Sequence, residues 1–530
     1  MTRVWREFGW ASLVALACVV LCEVNGRTGL YLFDTGINYH YGWLIYQGQA
    51  PFVEIETPLA PLSGILTAAG YAACGVTYLS SVHLASLLSG IGALVIGLSL
   101  APVLSRPAAG VFAFALVSTT LPVIGTLYYN HLGYLLVVAW HTAVLCMIGA
   151  SADRRWTVWS VTAWSLTALI ALNKVHLGVL HSAVLLAVEL VMIRDGAACV
   201  LRSAVKGLAL RIAPLLVGAG AVLVWADWDI AAILRNLSVP DRPSLHPEAI
   251  AERFFGLPSD ILAMPVIGPG TCFLVGGALL LDLIRAAPES RQLRYFAVLF
   301  LGSSVVQAVG FITSGEAPSG TLPGALCLLL IAAVAARRVG APGPTARSIS
   351  PLIGLAASAG VFAVSYGWEG LRKAWDEDGT WLQAPIANDH EVTSGFFRGV
   401  HVRAEQQLAI ERVEAIVAAA GDARVFFAPE LEMFYPATGR LGPKPWLLWS
   451  HPGVSVSVLQ FRELRERFNH AEVDIVFKAP TREGLSPYLT KALETDYSAV
   501  EMREPCFVVV LFRHGFVPSA SLVEAVGMFQ

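Results

Sequence analysis

The chain has 530 residues, 55% of them hydrophobic and only 14% charged, with a mean hydropathy of +0.62 and a formal net charge of -3. This profile excludes an ordinary soluble domain and a disordered chain, and points to a polytopic membrane protein. The charges sit between the apolar runs, and no basic cluster suggests a nucleic-acid partner.

Apolar runs of about 17 to 25 residues mark spans, and Lys and Arg in the loops orient them. The first, Phe8 to Glu23, has a basic start in Arg3 and Arg6 but no small-x-small cleavage site, and reads as a signal anchor. The loop from Asn25 to about Ser80 is then outside. Its apolar piece, Leu62 to Val76, reads as a helix at the outer interface. Counting it as a span would place Arg106 and Arg154-Arg155 outside.

Spans follow over Ser81 to Ser105, over Pro107 to Leu127 (ending at Tyr128-Tyr129-Asn130-His131), and over Leu132 to Ala150. The fifth ends outside at Asn173-Lys174-Val175-His176, and the sixth returns to a loop with Arg194, Arg202, Lys206 and Arg211. The seventh ends near Trp225, before an external loop from Asp227 to Asp260 that carries Arg235, Arg242 and Arg253. The remaining spans cover Ile261 to Ile284, Tyr295 to Ile312, a tenth ending at Arg337-Arg338, and Ile349 to Tyr366. Every loop placed inside carries Arg, which supports about eleven spans.

From about Gly367 the composition changes. Gln406 to Ala420, Phe461 to Phe468 and Leu485 to Glu494 read as helices; Arg424 to Ala428, Val473 to Phe477 and Cys506 to Phe512 read as strands. The expectation is a helical membrane domain over residues 1–366 and a small extracytoplasmic α/β domain over 367–530, with a partly parallel sheet. The cysteines form no C-x-x-C pattern and read as small apolar fillers.

The chemistry concentrates in Asn25 to Pro61, where Asp34, His40, Glu54 and Glu56 lie among Tyr39, Tyr41, Trp43, Tyr46 and Phe52. Aromatic faces stack on a sugar ring and carboxylates accept its hydroxyl protons. An interfacial belt would gather the same aromatics.

The order Asp34, then Gly48-Gln49-Ala50-Pro51-Phe52-Val53-Glu54, then Thr57-Pro58-Leu59-Ala60-Pro61 resembles the first external loop of the polytopic GT-C glycosyltransferases that use polyprenyl-phosphate sugars. The protein-mannosyltransferase-like and lipid A aminoarabinose-transferase-like bacterial families are meant, and Glu54 fills a position that is often Asp. Arg424 to Trp449, with Thr438-Gly439-Arg440, resembles a segment closing the soluble tail of such enzymes.

The resemblance implies an inner-membrane enzyme with a GT-C-type membrane domain. It would transfer sugar from a polyprenyl-phosphate carrier to an extracytoplasmic glycan, lipid or protein. Asp34, just after the first span, is the implied base, with a helix cap or ion-pair partner as its other reading. One of Glu54 and Glu56 would orient the acceptor or neutralise a nearby cation, with solvated loop charge as the other reading of Glu56, and His40 and Tyr41 would contact substrate. Asn130 and His131 stand where the family often has an acid, which leaves a divalent metal without one of its bridging carboxylates. They can still bind sugar or phosphate. Lys174 is the leading candidate for the donor phosphate, followed by Arg242; a snorkelling Lys is the alternative. A transporter or flippase, which would show internal repeats, and a non-enzymatic envelope-assembly protein stay open.

Overall fold

The structure, a computed structural model, describes residues 2–30, 33–150, 153–195, 198–237, 248, 269–314, 318–339, 390–428, 431–443, 448, 461–478, 487–500 and 508–527. The expected span Ile349 to Tyr366, the start of the span Ile261 to Ile284, and Arg242 lie outside the described residues.

The chain begins with α1 (Thr2–Arg27). Two shorter helices follow, α2 (Phe33–Tyr46) and α3 (Leu62–Cys74). Gly75 at φ +86 ends α3, and Thr77 starts α4 (Tyr78–Leu100) by accepting a hydrogen bond from the Ser80 amide. The piece expected at the interface is therefore a separate helix of 13 residues, short of a full span.

The expected third span divides. Helix α5 (Arg106–Ser118) stops, and the single turn α6 (Leu121–Ile124) follows before Gly125 turns left-handed at φ +74. The cause is local. Ser118, Thr119 and Thr120 return their hydroxyls to the carbonyls of Ala115, Leu116 and Val117, and Pro122 has no amide to donate.

The bundle continues with α7 (Tyr129–Ile148), α8 (Asp153–Asn173), α9 (Val175–Arg194) and α10 (Ala198–Trp225). Helix α11 (Ile230–Leu237) turns by 101° from the apolar part of α10 through Asp227 and Trp228, both at positive φ. Then come α12 (Pro269–Ala286), α13 (Arg291–Ser314) and α14 (Pro318–Val339). Among the described residues five helices are long and apolar enough to cross a membrane, six if the bent pair is one span. One apolar core joins α1, α4, α5, α7, α8, α9, α12, α13 and α14, with Phe112, Trp140, Trp156 and Phe296 fully buried in it.

Beyond residue 390 the chain is mixed. A short antiparallel pair, β1 (His390–Glu391) and β2 (His401–Val402), precedes α15 (Ala404–Ala419). Then follow β3 (Val425–Phe427), α16 (Phe434–Thr438), α17 (Phe461–His470), β4 (Ile475–Lys478), α18 (Pro487–Asp496), β5 (Tyr497–Val500), β6 (Val509–Arg513) and α19 (Ala520–Gly527). The sheet order is β3-β4-β6-β5. Strands β3 and β4 run parallel, with Phe426 opposite Val476, and the other two pairings are antiparallel. The partly parallel sheet is present; β5 and α19 were not expected from the sequence. This sheet shares a core with Tyr39, Trp43, Tyr71 and Tyr78, so the first loop and the tail pack as one body.

Candidate functional site

The first loop is organised by α2, which is covered on several sides. Gly36, His40 and Trp43 fall at helical spacing and face the tail. A side chain at 36 would meet Met433 N at 3.4 Å and the Glu432 carboxylate at 3.7 Å. The His40 ring stacks on Tyr435 with centroids 4.2 Å apart, and the Trp43 indole N–H donates to the Arg440 carbonyl at 2.8 Å.

On another face Asn38 donates to the Leu127 carbonyl at 2.8 Å and accepts from the Ser63 hydroxyl at 3.0 Å. This joins α2 to α3 and to the entry of α7. On a third face the Tyr39 hydroxyl donates to the Tyr78 carbonyl, with the two rings stacked at 5.0 Å. Tyr41 is fully buried among Ile37, Leu44, Ile55, Leu59 and Leu448. Asp34 is the second residue of α2, and its side chain lies outside the described residues.

His40 is 4% exposed, and neither ring nitrogen has a hydrogen-bonding partner among the described residues. Burial pushes the imidazole down to about 3 from its ordinary 6.5. The sign follows directly. Between about pH 6.5 and 3 an undocked His40 takes up a proton that the docked one refuses. The packing of the tail on α2 is therefore complete above the upper value and weakens as pH falls through that window. Limited proteolysis of the tail is expected to accelerate between pH 7 and 4.5 in the natural protein, and His40→Phe, which keeps the stack, should flatten that slope. An equal slope in the variant would assign the effect to another group.

The stretch after α2 is pinned from two directions. Phe52 sits at φ +69, and its carbonyl accepts from the Asn236 amide at 3.0 Å. Asn236 Oδ1 in turn accepts from the Thr57 amide at 2.8 Å, so α11 clips both ends of this turn. Glu54 accepts from the Ala50 amide at 2.8 Å, closing the turn locally. Glu56 reaches Arg467 of α17 at 2.6 Å, and its carbonyl accepts from the Leu448 amide. Glu56 is 41% exposed, so a double-mutant cycle over Glu56→Gln and Arg467→Gln should give a coupling of only about 0.5–1 kcal/mol that shrinks with salt. A larger, salt-insensitive coupling would show that the pair is walled off from solvent.

The other wall is the start of α7. Tyr128 and Tyr129 meet edge to face at 4.7 Å, and His131 lies against Tyr128 at 5.3 Å. Asn130 donates to the Tyr128 hydroxyl at 2.7 Å. Helices α8 and α9 are separated by Lys174, whose extended backbone (φ -146, ψ 101) stands within the Asn173-Lys174-Val175-His176 stretch where the sequence places the end of the fifth span. Asn173 donates to the Tyr129 carbonyl at 2.7 Å, and the Lys174 ammonium lies 5.6 Å from the Tyr129 ring centroid.

Hydrogen bonds thus link α2 through Asn38 to Leu127 and Asn173 to Tyr129, and a cation–π contact links Lys174 to Tyr129. Glu54, Glu56 and Tyr41 belong to the neighbouring turn and its packing. The sequence reading missed Asn38, Asn173, Asn236 and Tyr435. Single Asn and Tyr residues carry no spacing signal, and Tyr435 meets His40 from the far side of the membrane helices in the sequence. No grouping of three or more His, Cys, Asp or Glu able to hold a metal ion occurs among the described residues.

No family model matches the chain, and no curated protein sequence matches it. Solved structures do. ArnT from Cupriavidus metallidurans in the apo state superposes with a TM-score of 0.58 at 13% identity, covering 95% of this chain and 97% of that one. The same enzyme bound to undecaprenyl phosphate gives 0.56 at 13% identity, covering 97% and 99%. An oligosaccharyltransferase from Archaeoglobus fulgidus gives 0.49 at 13% identity, covering 89% of this chain and 68% of its own. The ArnT likeness runs over essentially both whole chains, and the fold is of the GT-C type.

Proposed function

We propose that the chain is a membrane glycosyltransferase that moves a sugar from a polyprenyl-phosphate carrier to an acceptor at the outer face of the inner membrane. Asp34 takes the proton from the acceptor hydroxyl as that oxygen attacks the anomeric carbon. The bond from that carbon to the carrier phosphate breaks, and the polyprenyl phosphate leaves. Lys174, with Arg242 as a second cation, offsets the charge that develops on the leaving phosphate. Asn130 and His131 border the sugar and acceptor positions, with His40, Glu54, Glu56 and Tyr41 shaping the loop that holds them. The tail from 367 onward stands on the same side, and eleven spans complete the bundle.

The observation that carries this reading is the junction of α2 with the α7 entry and the α8–α9 break. There a polar first loop meets an interfacial cation on a GT-C-type fold. A neighbour of that fold is bound to undecaprenyl phosphate, which supports a lipid-phosphate donor here. The test is release of undecaprenyl phosphate from a panel of undecaprenyl-phosphate sugars by the nanodisc-held protein with envelope extracts as acceptor. Release that requires acceptor supports transfer. Binding of no lipid phosphate, with movement of a lipid-linked sugar between leaflets, would replace catalysis with transport.

A further inference from the structure

Two amide oxygens at the first turn of α7 have no hydrogen-bonding partner among the described residues: Asn173 Oδ1 and Asn130 Oδ1. Asn173 is 4% exposed, and its orientation is fixed by chemistry. Its Nδ2 donates to the Tyr129 carbonyl at 2.7 Å, and a carbonyl can only accept. A flipped amide would set two acceptors against each other, so the oxygen has to face away from Tyr129. Gly133, one turn further along α7, makes room for this side chain; a Cβ there would stand 2.9 Å from Asn173 Nδ2. Asn130 uses its own amide nitrogen on the Tyr128 hydroxyl at 2.7 Å. Directly after Asn173 comes Lys174, with its ammonium over the Tyr129 ring.

A buried carbonyl without a donor is costly, and a ligand that brings donors removes that cost. Sugar hydroxyls and sugar ammonium groups both donate. The neutral acceptors decide between them. An ammonium would give up its hydration for two uncharged amide oxygens, a cost that a neutral hydroxyl does not meet.

We propose that Asn173 and Asn130 bind the hydroxyls of a neutral, polyhydroxylated donor sugar, and that Gly133 is the small residue which lets Asn173 do so. This rests on the transferase reading above and deepens it by naming the sugar class.

The test compares three lipids on the full-length protein in nanodiscs by native mass spectrometry: undecaprenyl phosphate, undecaprenyl phosphate carrying a neutral hexose, and undecaprenyl phosphate carrying an amino sugar. The natural protein should bind the neutral sugar lipid best. Asn173→Ala, Asn130→Ala and Gly133→Ala should each weaken that lipid about five- to tenfold, the worth of one hydrogen bond, with bare undecaprenyl phosphate within about twofold. Asn130→Ala keeps the assay informative if loss of the Tyr129 bond unfolds the other two. Equal weakening of sugar lipid and bare lipid would reduce these amides to structural supports and overturn the proposal. A preference for the amino sugar would overturn the sugar class. Failure of the natural protein to bind any of the three would overturn the transferase reading itself.

Discussion

Replacing Asp34 with Asn is expected to lower sugar transfer by about 10²- to 10⁴-fold, the usual worth of a positioned general base, with folding and undecaprenyl phosphate binding unchanged. The substitution keeps the side chain's shape but removes its charge and its ability to take a proton, and turns one acceptor oxygen into a donor. Asp34 stands one helical turn before Asn38 in α2, and Asn38 donates to the Leu127 carbonyl at the entry to α7. An acid in the first turn of a helix also favours the helix dipole by a few tenths to about 1 kcal/mol. A purely structural Asp34 would therefore change stability slightly and turnover hardly at all. The measurement is single-turnover transfer beside the melting profile of the same preparation. Full turnover in the variant would move the base to another residue of the loop.

Gly125→Val should be the most damaging single change in the membrane bundle, destabilising by about 3 kcal/mol or more when left-handed strain and overpacking are combined. Gly125 holds φ +74, which a β-branched residue rarely adopts. It also packs directly on the backbone of Gly26, so any Cβ would overlap the end of α1. Gly26 is hemmed in as closely, with Val82 Cγ1 2.6 Å from where its own Cβ would stand. No flexible side-chain end is there to move aside on the Gly125 contact; backbone meets backbone. Next to it, Asn25 donates to the Pro122 carbonyl, so the same contact sets the exit of the chain into the first loop. The expected result is loss of the monodisperse species in mild detergent, with Gly220→Ala, where nothing lies within 4 Å, as the control. A Gly125→Val protein that purifies and melts like the natural one would show that α1 and α6 can separate without harm.

Much of this was legible before the structure. Apolar runs gave the helices because a bilayer demands long, nearly uncharged segments. The tail's alternation of short apolar runs and charged helices gave a partly parallel sheet. The break at Ser118-Thr119-Thr120 escaped because hydropathy scores hydroxyls as mild, while their back-bonding to the helix carbonyls ends α5. Tyr41 looked like a stacking platform because aromatics near a bilayer often are; its ring is instead enclosed by the loop and Leu448. Glu56 and Arg467 are separated by 411 positions, a pairing that no local pattern encodes.

The Trp43 to Arg440 hydrogen bond spans 397 positions, and the shared core of Tyr39, Trp43 and Tyr435 spans nearly as many. At about 5–20 residues per second, a ribosome delivers Arg440 roughly 20–80 s after Trp43. Throughout that interval the membrane helices can insert and assemble, yet α2 has nothing to press against on its Gly36-His40-Trp43 side. Biosynthesis therefore finishes this side of the first loop last, after the scaffold it stands on. A nascent chain cut short anywhere before residue 431 would lack the tail contacts of Gly36, His40 and Trp43 and leave that side of α2 uncovered.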